Sequence, residues 1–93
     1  MKVYTGQRTR NGCKVTVNGR QLDMRLDYLS LSSEIDWDCS TPAASQLSFA
    51  ILSDYFQSDE KAMMYYEAFR GEIICKLPRR GRSLSESRIN RML

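Results

Sequence analysis

Asp36 and Asp38 are the closest this chain comes to a catalytic pair. Two residues apart, they share a face of an extended segment and could hold a divalent cation. The commoner role of such a pair is as solvated loop acids, or as partners for arginine. Histidine is absent, so acid–base work would fall to carboxylates, lysine, tyrosine or cysteine in strongly tuned surroundings. Met63-Met64 and Tyr65-Tyr66 read as core and flank of a helix. Cys13, Cys39 and Cys75 are odd in number, far apart and without a C-x-x-C pair. That spacing suits neither a disulfide framework nor zinc, and three buried free thiols in a reducing cytosol are expected. The expectation is a protein that is not an enzyme, with no metal and no cofactor.

Arginine offers a different chemistry. Arg79, Arg80, Arg82, Arg88 and Arg91 crowd the C-terminal stretch, where guanidinium groups could neutralise phosphates or grip an acidic groove. The net charge of +3 conceals a segregation: residues 1–20 sum to +5, residues 21–72 to −7 and residues 73–93 to +5. Two readings stand side by side. The basic ends fold back on the acidic middle, or a basic patch is kept for a partner. Nucleic-acid binding lacks a helix-turn-helix signature, a zinc motif, or aromatic residues interleaved with the arginines. The candidate partner-binding residues are therefore these five arginines together with Trp37, Asp36 and Asp38. Trp37 can equally seal the core.

The elements that must position these groups follow from pattern. At 93 residues, 42% hydrophobic and 27% charged, the chain has the composition of one globular domain, and disorder throughout is not expected. Cys13, Val15 and Val17 alternate with polar residues, as do Leu22, Met24 and Leu26. Asn18-Gly19 lies between them as a type I′ turn, which pairs Val17 with Arg20, Val15 with Leu22 and Cys13 with Met24. A further strand, Val3 to Arg8, would join through Asn11-Gly12. A two-residue turn there puts Gly6 and Arg8 on the face of Val15 and Val17, so either the loop is longer or the register slips by one. Residues 28–41 read as an ordered loop. A first helix starts at Pro42, capped by Ser40 or Thr41, with Ala44, Leu47, Ile51, Leu52, Tyr55 and Phe56 on one side and Gln46, Ser53, Asp54 and Gln57 on the other. Ser58 caps a second helix, with Asp59 and Glu60 at its positive end and Ala62, Tyr66, Phe69, Ile73 and Leu77 along it until Pro78. Gly71 inside that helix predicts a close approach to another element. Ser83-Leu84-Ser85-Glu86 has the form of a capping box opening a last short helix.

The fold expected is α+β: an N-terminal antiparallel β-hairpin or three-stranded meander packed on an antiparallel helix pair, with a short C-terminal helix. The segments within one domain of residues 1–93 are 1–27, 28–41, 42–77 and 78–93. No charged leader precedes an apolar run and no apolar stretch reaches membrane length, so a soluble, cytoplasmic protein is expected.

From Leu29 to Ile89 the chain also resembles a small family of unknown function associated with phages, plasmids and integrated mobile elements. The likeness is carried by Ile35-Asp36-Trp37, by Gln46 to Leu52, by Asp59-Glu60 and Ala62, by Phe69, by Ile73 to Pro78, and by Leu84 and Ile89. That family has a glycine-rich run before the first helix. Here the run is Asp38 to Ser45 without glycine, so the resemblance does not carry an anion cradle over to that point. The resemblance implies a phage or mobile-element protein in a bacterial host cytoplasm that docks on a host protein or ribonucleoprotein, an inhibitor of a defence complex such as CRISPR–Cas being one form. A nucleic-acid-binding accessory protein is the alternative. A third reading, sequestering a small signalling nucleotide, would need a pocket lined by arginine and aromatic side chains.

Overall fold

The computed structural model describes residues 2–9, 12–32, 35, 41–76 and 83–92. Its sheet is built on strands β1 (Val3–Thr9) and β2 (Gly12–Val17), which pair antiparallel with Tyr4 opposite Val17, Gly6 opposite Val15 and Thr9 opposite Gly12. Gly12 thus belongs to the strand and not to the turn. Relative to a turn on Asn11-Gly12 the register moves by two residues, not one, which keeps every residue on its face. Gly6 therefore shares the face of Val15 and Val17, the arrangement that a slip by one was expected to avoid. The reason for the shift is Tyr4, which would otherwise oppose Gly19 at the end of the ladder and instead lies fully buried beside Val17.

Asn18 and Gly19 both adopt positive φ, 50° and 85°, as a type I′ turn requires. They lead into β3, which is only Arg20–Gln21. Val17 pairs with Arg20, and the Leu22 N–H still reaches the Val15 carbonyl at 3.0 Å. The expected pairing of Cys13 with Met24 does not form. There the chain turns away, with Arg25 at φ 58° and its N–H on the Asp23 carboxylate at 2.9 Å, while the Met24 carbonyl accepts from Gln46.

Helix α1 (Pro42–Phe56) begins on Thr41, whose dihedrals are extended, with Pro42 in the first turn. The expected side-chain cap by Thr41 does not form, its carbonyl instead accepting from the Ala44 N–H at 3.2 Å, and Ser40 lies outside the described residues. It was expected to have a polar side. Instead Ala43, Ala44 and every residue from Gln46 to Ser53 are buried, because the helix runs through the centre of the core. Gln46 is fully enclosed, and its amide is used up by the backbone of the loop before it. Its oxygen accepts from Leu31 N–H at 2.8 Å, and its nitrogen donates to the carbonyls of Met24 and Leu29 at 2.6 and 2.9 Å. Gln57, at φ 55°, ends α1, and the Ser58 hydroxyl accepts from the Lys61 N–H to open α2 (Asp59–Glu72).

The second helix was expected to run to Leu77. It stops at Glu72 and tightens into a 3₁₀ turn, Ile74–Lys76, so that the adjacent Ile73 and Ile74 both enter the core. Along α2 itself only Ala62 and Phe69 are buried, so its single inward face would not take two successive residues without this change of winding. Gly71 makes no close approach, for a methyl group placed there would meet nothing within 4 Å. Cys75 points outward from the 3₁₀ turn and is disulfide-bonded, so the expectation of three buried free thiols fails.

Ser83–Leu84–Ser85 do not cap a helix from its first turn. They form strand β4, antiparallel to β1 with Leu84 opposite Tyr4, and α3 (Glu86–Met92) starts after them. The Glu86 N–H closes on the Lys2 carbonyl at 2.9 Å, and Lys2 returns its own N–H to the Glu86 carboxylate at 2.8 Å. The sheet order is β3-β2-β1-β4. The fold is α+β as expected, with a fourth strand that the sequence reading did not foresee. Tyr4, Val15, Val17, Leu22 and Leu84 from the sheet side, the α1 core residues, Ala62 and Phe69 of α2, and Ile89 of α3 make one buried cluster. Each large apolar side chain in it contributes about 1.5–3 kcal/mol. Among the described residues no helix is long and apolar enough to cross a membrane.

Candidate functional site

Among the described residues, two cavities beside the helix pair differ in their chemistry. The smaller, of about 330 Å³, opens among Asp23, Arg25, Ser53, Asp54 and Asp59. Its charges are already committed. The Arg25 guanidinium forks onto the Asp59 carboxylate, with its Nε 3.0 Å from Oδ1, and the Ser53 hydroxyl donates to the same carboxylate. These donors, Arg25 first, hold the Asp59 carboxyl below the usual range, and Asp59 in turn raises the Arg25 guanidinium. Asp54 accepts from Lys2 Nζ at 3.2 Å and from the Tyr4 hydroxyl at 2.7 Å. Burial, reinforced by the bond to Asp54, pushes that hydroxyl well above its usual value. This network ties strand, loop and helix together. Among the described residues no group of histidine, cysteine, aspartate and glutamate could hold a metal ion.

The larger cavity is an open groove of about 940 Å³ between the end of α1, the outer side of α2 and α3. Tyr65, Ala68 and Glu72 reach it from one face of α2, being three and seven residues apart. Phe56 enters from α1, and Ile73 closes the end where α2 stops. Arg88 and Arg91, three apart on α3, form the opposite side. The short helix is held for this task by Leu84 and Ile89, both buried, by the Lys2–Glu86 exchange, and by a hydrogen bond from the Tyr55 hydroxyl to Asn90.

The groove is aromatic and cationic at once. Phe56 and Tyr65 lie 5.7 Å apart at an interplanar angle of 42°. Tyr65 is 39% exposed, and the neighbouring Met63 and Met64 are 42% and 73% exposed. Arg88 and Arg91 are exposed and have no acidic partner among the described residues. Glu72, the groove's acid, pairs with Lys76 at 3.5 Å in open solvent, a contact worth little.

Of the partner-binding residues expected from sequence, the structure brings Arg88 and Arg91 together on this groove. Arg79, Arg80, Arg82, Asp36, Trp37 and Asp38 lie outside the described residues. The groove's other walls were missed. Phe56 had been assigned to the core and Tyr65 to a helix flank. The available signal was the Tyr65-Tyr66 pair, since neighbours on a helix point about 100° apart and a helix with one buried face turns the second of them outward. Tyr66 takes the inner place, edge-on to Phe49 with centroids 6.0 Å apart, and Tyr65 the outer.

One protein-family model matches residues 4–93, from β1 through α3. The chain belongs to this family of unknown function, DUF6166. The groove and the strand pairing that fixes α3 both fall inside the DUF6166 domain. No curated protein and no solved structure matches the chain.

Proposed function

We propose that this DUF6166 domain is a non-enzymatic binding module that docks on a macromolecule of its host and holds an anionic group of that partner in the groove. The observation that carries the reading is the pair Arg88 and Arg91, unpaired among the described residues, facing the exposed Tyr65. Arginine and tyrosine are among the side chains enriched at interface centres. The partner class is a host protein or ribonucleoprotein. The sequence resemblance to mobile-element proteins directs the search toward cytoplasmic defence complexes of a bacterial host, CRISPR–Cas assemblies among them. Bare duplex binding has less support, since Glu60, Glu67 and Glu72 are exposed along α2 and would repel a long run of phosphates.

The test compares the wild type with an Arg88→Glu, Arg91→Glu double variant in affinity capture from host lysate. The expected result is a specific partner recovered by the wild type and lost by the variant, with the melting temperature unchanged. Equal recovery by both proteins, or none by either, refutes the reading. A low-salt mobility-shift assay on DNA and RNA checks the alternative.

A further inference from the structure

The groove is more specialised than an anion site needs to be. A simple anion would leave its aromatic wall idle, and a plain apolar anchor would leave two guanidinium groups unanswered. We infer that the group held there is a nucleoside phosphate, its base against Tyr65 and its phosphate on Arg88 and Arg91. This rests on the groove being the domain's working surface.

Several observations converge on that ligand. Arg88 and Arg91 lie on one side of α3 and have no acid to neutralise them among the described residues. Their planar donor forks match phosphate oxygens two at a time, which a lysine cannot do. Tyr65 offers an exposed aromatic ring, backed by Phe56 at 5.7 Å, and every nucleobase has a face that can stack on it. Ala68 leaves room between Tyr65 and Glu72 on the same face of α2. Glu72 supplies an acceptor for the amino or hydroxyl groups of a base or sugar. Among the described residues it leaves the groove lining, with the two arginines, at +1, which suits one or two phosphates and not a long polyanion. A volume of about 940 Å³ lies within the range of small-ligand sites.

The same chemistry has two sources, a free nucleotide or a nucleotide at a strand end within a ribonucleoprotein. Calorimetric titrations of the full chain at low salt with inorganic phosphate, adenosine, the four nucleoside monophosphates and a 5′-phosphorylated pentanucleotide separate them. The monophosphates are expected to bind at least about tenfold more tightly than phosphate or adenosine alone, with little choice among bases. Arg88→Ala, Arg91→Ala and Tyr65→Ala, all at exposed positions, each weaken that binding by about tenfold or more. A tighter pentanucleotide identifies the strand end as the source, and parity identifies the free nucleotide. Phosphate binding as tightly as the monophosphates, indifference to Tyr65→Ala, or no nucleotide binding at millimolar concentration overturns the inference. If nucleotides fail while the charge-reversal variant still loses its captured partner, docking stands without the nucleotide. If nucleotides bind while capture is unaffected, the docking reading falls alone.

Discussion

Asp59 shows how one side chain joins three elements. As the first residue of α2 it lies at the positive end of the helix, and it accepts from Arg25 in the loop after β3 and from Ser53 on α1. These donors favour the ionised form, so its folded pKa is held below the ordinary 3.8. Stability from this group is therefore fully present above that ordinary value and is lost as pH falls through the lower folded one. Denaturant midpoints measured from about pH 5 down to about pH 2 should fall less steeply for Asp59→Asn than for the wild type. Parallel slopes would show that the carboxylate is not linked to folding. Only the cap was legible in sequence here. Ser58-Asp59-Glu60 has the local chemistry of a helix start, whereas Arg25 lies 34 residues away and nothing local selects it over the other basic side chains.

Among the elements, α1 departs furthest from its expected amphipathicity, and Gln46 is the reason. Periodicity assigned it to a solvent side, yet its amide is enclosed and serves as the anchor of the loop from Met24 to Leu31. A buried amide is tolerated where all its polar atoms are paired, and here irregular backbone takes the place of a strand partner. Gln46→Leu should cost about 2–4 kcal/mol in urea unfolding, because the Leu31 N–H and the carbonyls of Met24 and Leu29 lose this partner. Gln46→Glu should do worse at neutral pH, since an oxygen then faces two carbonyls, and should recover as acid protonates it. Loss below about 0.5 kcal/mol for the leucine variant would mean that water substitutes for the amide. The hairpin turn, by contrast, was readable outright, because Asn-Gly meets its φ requirement through local sterics alone.

At the scale of the whole molecule, closure of the chain on itself makes the groove. β4 adds to the free edge of β1, Leu84 buries opposite Tyr4, and the strand hands directly into α3. Leu84→Ala should cost about 2–4 kcal/mol. Amide exchange should then rise first in β4 and α3, while the helix pair keeps its protection. Uniform loss of protection would show instead that closure and core unfold as one unit. Charge follows the same geometry. Lys2 folds back onto Asp54 and Lys76 pairs with Glu72, as the self-neutralising reading expects, whereas Arg88 and Arg91 have no acidic partner among the described residues.

What the sequence by itself determined about this protein is its local order: one type I′ turn, the start of each long helix, the junction at Ser58 and the α+β class. Each depends on residues within about four positions of one another, where sterics, capping and periodicity act. What only the tertiary structure decided is which surfaces meet. Arg88 and Arg91 had no aromatic neighbour in the sequence, and Phe56 and Tyr65 came to them through the antiparallel turn of α2 and the return of β4 to β1. Contacts of that range are selected by burial of the whole core, and burial is a property of the assembled chain and not of any segment of it.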